Sequence, residues 1–276
     1  MRVVVVAALC ASCSAVCAHD GARDAVNDRA PAASDNHPRA DPTADIADGL
    51  GEASGVARAP AAFGGDFVVV DDDKGVVVVK DGSASVVAAA KDLEGVCVIG
   101  DVVVVVSEAS GVVSVVSADG TMTPKGTLPP PTSTQHPKKN KGWEGIAFLR
   151  ASLAVDGKDH LVAVHEGAPR VVSLFSWPAL TLEVQLALPP SIDGLVADLS
   201  DVAVDPKSGG LLLLSDKSRR LLRVALSGVG SSTTLKLTST TELAVQKHEK
   251  PEGVFVDDDG RVYVVTDGSG RLFVVP

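Results

Sequence analysis

Residues 251–275 read PEGVFV-DDDG-RVYVV-TDGSG-RLFVV, three short apolar runs separated by acidic, glycine-bearing turns. Runs rich in Val, Phe and Tyr, bounded by Asp-Gly and Gly-Ser, read as an antiparallel meander of three strands. Openings of the same kind occur upstream at Ser54-Gly55-Val56, Glu94-Gly95-Val96, Glu144-Gly145-Ile146 and Ser200-Asp201-Val202. Up to the final Glu252-Gly253-Val254, the steps are 40, 50, 56 and 52 residues. Repeats of this length, each holding several short strands, are the signature of a β-propeller. In the fourth unit the four strands fall at about residues 200–205, 210–215, 220–226 and 233–243. A solenoid or a sandwich is the competing fold, and a sandwich would lack the recurring opening.

The fifth unit supplies three strands before Pro276, and a ring leaves no free edge only if another segment completes that blade. Residues 45–50, with Ile46 and Leu50 as apolar positions, are the expected donor. The expectation is therefore all-β: five four-stranded antiparallel blades, closed by an N-terminal strand.

Composition agrees. Valine accounts for 46 of the 276 residues while aromatics make up only 3%, so β-branched aliphatic side chains must build the core. The net charge of −10 argues against nucleic acid, whose phosphates call for clustered Lys and Arg. No apolar run reaches the roughly 18–20 residues that span a bilayer.

The first 18 residues read as a secretory leader: Met1 and Arg2, an apolar run, then small residues up to Val16-Cys17-Ala18. In the lipoprotein version of this reading, Cys13 is acylated behind Ala11-Ser12. Residues 19–44, rich in Ala, Asp and Pro without apolar periodicity, read as a disordered tether, and residues 45–276 as the propeller. Export to the periplasm, cell envelope or medium follows, as a monomer touching a membrane only through the lipid. Cys97, in an apolar run, reads as an inert core residue.

The segments KGWEGIAF, DLSDVAVDPKSGGLLLLSDKSRRLLRVAL and KPEGVFVDDDGRVYVVTD resemble the SdiA-regulated family, bacterial extracytoplasmic proteins distantly related to NHL-repeat propellers. The resemblance runs over roughly residues 51–276 and implies five blades and an associated calcium ion. Units one and two depart from the pattern, the first by opening with Ser54 in place of Glu and by a loose, Ala-rich first strand.

In a propeller the start of the innermost strand and the end of the next strand lie on one face. Two rows of residues should converge there. The inner row is Glu94, Glu144, Ser200 with Asp201, and Glu252, with Ser54 as its weak member. The outer row is Asp71, Glu108, Glu166, Asp216 and Asp267. Crowded carboxylates repel unless neutralised, and an oxygen donor set favours Ca²⁺. Glu94, Glu144, Asp201 and Glu252 are the candidate ligands. Trp143, Ser200, Glu166, Asp216 and Asp267 are candidate contacts for an unknown small ligand or protein. Hydrogen bonding of Glu94, Glu144 and Glu252 to neighbouring blades' amides is the competing reading, and substrate contact alone is a third.

Asp257-Asp258-Asp259-Gly260 fails as an EF-hand loop, because the twelfth position is Gly268, and reads as a turn on the opposite face. The six histidines show no zinc spacing, and His160 and His165 should point to opposite faces of one strand. No nucleophile elbow, phosphate loop or dinucleotide fingerprint appears. The basic, proline-rich stretch 123–142, with Lys138, Lys139 and Lys141, reads as a surface insertion or as a lid attracting an anion. The leading functional reading is an exported binding propeller with Ca²⁺ on its acidic face. The alternatives are a Ca²⁺-dependent hydrolase of lactonase-like or phytase-like type, using a metal-bound water, and a scaffold with no small-molecule site.

Overall fold

A computed structural model of the chain describes residues 39–40, 45–47, 50–131, 142–167, 169–228 and 230–275. It is a five-bladed β-propeller. Two short strands come first, β1 (Arg39–Ala40) and β2 (Asp45–Ala47). Blade one follows with β3 (Ala53–Arg58), β4 (Phe67–Asp71), β5 (Gly75–Lys80) and β6 (Ser83–Ala89). Blade two holds β7 (Leu93–Ile99), β8 (Val102–Ser107), β9 (Val112–Val116) and β10 (Met122–Thr127). Blade three holds β11 (Trp143–Leu149), β12 (His160–His165), β13 (Val171–Ser176) and β14 (Leu182–Ala187). Blade four holds β15 (Asp201–Val204), β16 (Leu211–Ser215), β17 (Arg220–Ser227) and β18 (Thr234–Leu243). Blade five holds β19 (Lys250–Val256), β20 (Val262–Asp267) and β21 (Leu272–Val275), and β2 is its fourth strand.

Ring closure is as expected. β2 pairs antiparallel with β21, Asp45 opposite Phe273 and Ala47 opposite Leu272. Leu50, 1% exposed, packs with Val265 and Leu272. β1 departs from the reading of residues 19–44 as a tether, because Arg39 and Ala40 run parallel to β18 opposite Glu242 and Leu243.

Valine-only strands work here because every blade is covered on both faces. Along β4, Val68 and Val70 enter a cluster with Val103 and Val105 of blade two, while Val69 joins one with Val265 of blade five. Among the described residues there are five apolar clusters, one at each seam between neighbouring blades. The innermost strands β3, β7, β11, β15 and β19 touch one another in cyclic order and line the channel.

Two expectations are corrected. The stretch 123–142 begins as regular structure, because Met122–Thr127 is the outer strand of blade two, with Pro124 at its solvent edge beside a bulge. An edge strand tolerates proline, which lacks the N–H that a central strand must donate. Lys138, Lys139 and Lys141 lie outside the described residues, as do Cys13 and the leader. Trp143 belongs to the core. It is 2% exposed and meets Phe175 and His165 edge-on at 5.5 and 5.8 Å. Strand alternation turns it away from the channel mouth that its neighbour Glu144 faces.

Candidate functional site

Four of the five inner strands open with a bulge. The pairing register slips at Ala53/Gly55, Leu93/Gly95, Trp143/Gly145 and Pro251/Gly253. The extra residue in each case is Ser54, Glu94, Glu144 or Glu252, and bulges re-aim side chains in this way. In blade four Asp201 pairs with Leu214 as Gly145 pairs with Val164, so Ser200 occupies the place of the glutamates. Ser54, Glu94, Glu144, Ser200 and Glu252 together line one mouth of the channel, around a cavity of about 360 Å³. The lining holds ten carboxylates and two lysines.

The glycine after each bulged residue allows the inner strands to approach closely. A Cβ on Gly145 would lie 2.1 Å from Asp201 Oδ1, and one on Gly95 would lie 2.7 Å from the Ile146 nitrogen. Asp201 itself stands in the glycine's place and is 1% exposed. Its Oδ1 accepts from the Val202 N–H and its Oδ2 from the Val254 N–H, both at 2.7 Å. Asp201 is thus bonded between blades four and five, apart from the cavity lining.

The outer row is Asp72, Glu108, Glu166, Asp216 and Asp267, all lining the cavity. The expected Asp71 sits one residue too early. It is fully buried, with Oδ1 accepting from the Asp73 and Lys74 N–H groups and Oδ2 paired with Lys74 at 3.0 Å. Lysines balance much of the outer row: Lys217 bonds Glu166 and Asp198, and Lys250 bonds Asp267.

The inner glutamates have less help. Burial pushes the Glu144 carboxyl up to about 10, and Glu94 and Glu108 add repulsion. Burial likewise raises Glu94 to about 8 against a hydrogen bond from Ser54, and Glu252 to about 8 with repulsion from Asp216. Glu144 Oε1 is buried without a hydrogen-bond partner. Three carboxylates and two hydroxyls line this mouth, oxygen donors of the type that hard cations take. The unpartnered oxygen is what such an ion would satisfy.

The Asp257–Gly260 turn faces the other mouth of the channel, as expected. Asp257 Oδ1 accepts from the Arg261 N–H and its Oδ2 from the Tyr263 hydroxyl, both at 2.9 Å. Cys97 is a buried free thiol whose proton burial holds in place.

One convergence was missed from sequence. Asp156, His160 and Glu183 offer ligand atoms within 4.8 Å of one another, at the end of β12 away from the acidic cavity. An Asp and a His four residues apart across a loop carry little signal, and Glu183 arrives only when β14 folds back.

Residues 67–275 match the SdiA-regulated family model. The chain is similar to the solved glutaminyl cyclase of Myxococcus xanthus, with TM-score 0.59, 11% identity and coverage of 87% of this chain and 97% of that one. It is also similar to a Thermus thermophilus protein described as an oxidoreductase (glucose dehydrogenase), with TM-score 0.52, 12% identity and coverage of 84% and 99%. A gluconolactonase from Xanthomonas campestris aligns at TM-score 0.49 and 16% identity, over 82% of this chain and 77% of that one. At such identities the first two likenesses show the fold alone.

Proposed function

The chain belongs to the SdiA-regulated family, and we propose that it is an exported binding protein whose acidic cavity holds Ca²⁺ and, through it, a small ligand or partner. The observation that carries this reading is the inner ring. Glu94, Glu144 and Glu252 converge on one channel mouth, displaced from their usual ionisation by burial and mutual repulsion. Glu144 keeps one oxygen without a partner. A divalent cation would supply the missing charge and fill that valence. Lysines on the outer row leave the inner ring to the ion. Export rests on the leader-like first 18 residues, with the protein either anchored through Cys13 or released.

Calorimetry with Ca²⁺ tests this. Glu144→Gln and Glu252→Gln each remove one anionic ligand and should weaken binding about tenfold or more, a loss of roughly 1.4 kcal/mol each. Unchanged affinity in both variants would remove these residues from any cation site. The second reading is a Ca²⁺-dependent hydrolase, favoured by the room that the cavity of about 360 Å³ leaves for a water and a substrate beside the glutamates. Turnover of an ester or phosphoester panel that disappears on chelation would select it over binding alone.

A further inference from the structure

We propose that His160 and Glu183 ligate a second metal ion of the Zn²⁺ class, with Asp156 orienting the imidazole, at a site separate from the acidic cavity. The internal repeat makes the first observation. His160 pairs with Leu149 at the start of the second strand of its blade. Leu149 lies four residues past Gly145, and the partners in that register in the other blades are Asp66, Val102, Gly210 and Arg261. None of these is buried. Blade three alone buries an ionisable ring there, 3% exposed, on the face that Val162 and Val164 pack into the core. Burying such a ring costs free energy unless its nitrogens are satisfied.

Glu183 makes the second. It is the extra residue of a bulge, between the pairs Leu174–Val184 and Phe175–Leu182. The corresponding extra residue of blade four is Thr238, while blades one and two bulge two pairs nearer the acidic mouth, at Val87 and Lys125. A bulge in the outer strand recurs in these blades, and its use for a carboxylate aimed at the histidine belongs to blade three.

Geometry assigns the roles. His160 Nε2 lies 2.9 Å from Asp156 Oδ1, and Nδ1 lies 3.3 Å from Glu183 Oε2. Nδ1 is buried and has no hydrogen-bond partner. A ring that donates its Nε2–H to Asp156 turns the Nδ1 lone pair toward a carboxylate oxygen, two acceptors facing each other, so a cation belongs between them. Metal-bound histidines characteristically donate their other N–H to a carboxylate, the part Asp156 plays here. Asp156 is itself held by the Lys158 N–H at 3.2 Å. A mixed nitrogen and oxygen donor set suits Zn²⁺ and its first-row neighbours, whereas Ca²⁺ takes oxygen alone. The adjoining cavity, about 280 Å³ between blades three and four, has space for the waters that complete the coordination. Lys158 Nζ, 4.0 Å from Glu183 Oε1 and largely exposed, is the nearby competing cation. The ion would tie the β11–β12 loop to β14.

The test is titration of the full chain with Zn²⁺ in saturating Ca²⁺, followed by calorimetry, with Co²⁺ absorption reporting the coordination. One equivalent should bind. Glu183→Gln, at an exposed position that the fold tolerates, should weaken it about tenfold or more, and Asp156→Asn by a comparable factor. Glu144→Gln should leave it unchanged, which separates this site from the acidic cavity. The proposal is overturned if Zn²⁺ does not bind, if Glu183→Gln binds as tightly as the parent, or if only Glu144→Gln loses the ion. It is overturned equally if ¹⁵N spectra at pH 7 with Zn²⁺ present show His160 protonated on both nitrogens, since a proton would then bridge the two carboxylates.

Discussion

Asp201 stands where four other blades carry glycine, and its side chain reaches into the next blade through the space that glycines leave elsewhere. Burial raises its carboxyl well above the usual range, and the amides of Val254 and Val202 pull it back. Both oxygens are committed as acceptors. Asp201→Asn keeps the shape but turns one acceptor into a donor facing an N–H. It should cost about 2–3 kcal/mol, the range for buried hydrogen bonds of this kind. Urea denaturation checks this, and a midpoint matching the parent's would show that the bond contributes nothing across the seam. From sequence, the Ser-Asp-Val opening could be aligned with either residue against the glutamates. The alternatives differ by one position, and a one-residue shift turns a side chain from the channel mouth to the blade seam.

At the scale of the element, β2 does what an unpaired edge requires. It covers the β21 edge by two paired positions, and Leu50 beyond it is buried against blade five. A protein beginning at Gly51 should be about 3–6 kcal/mol less stable than one beginning at Asp45, from the loss of a buried leucine and a strand ladder. It should also associate through the bare edge of β21. Equal melting temperatures together with a monomeric elution profile would refute closure by β2. Such closure is legible in sequence because blade five is one strand short. The bulges were not: they lie in how two strands pair, and the residues Ser54, Glu94, Glu144 and Glu252 carry no common side chain.

For the whole molecule, the buried glutamates of the channel mouth couple stability to pH. Without a divalent ion, folded Glu94 and Glu252 hold protons up to about pH 8 and Glu144 up to about pH 10. The unfolded chain releases them near the ordinary carboxylate value of about 4.3. The folded state therefore binds more protons throughout that window, and stability falls as pH rises from about 4.3 through 8 and on toward 10. In chelator the melting temperature should drop by roughly 5 °C or more between pH 5 and pH 9, relative to a variant with all three changed to Gln. On the proposed reading, bound Ca²⁺ would let the carboxylates ionise and should remove most of that difference, as an ion binding only the native state does. Parallel pH profiles for the two proteins in chelator would show that the glutamates do not titrate as a buried cluster.

The repeat of short valine-rich runs determined the blade count, the closing strand and the acidic face, because each follows from hydrophobic period and turn chemistry along the chain. Glu94, Glu144 and Glu252 were legible for the same reason, being attached to the recurring opening. Tertiary structure alone decided that Asp201 serves a seam, that Asp72 replaces Asp71 at the cavity, and that Trp143 is core. It also brought Asp156, His160 and Glu183 together across strands not adjacent in their sheet. Those outcomes depend on pairing register and on which blade faces which. Both are fixed by long-range packing of buried surfaces, and neither leaves a local mark on the sequence.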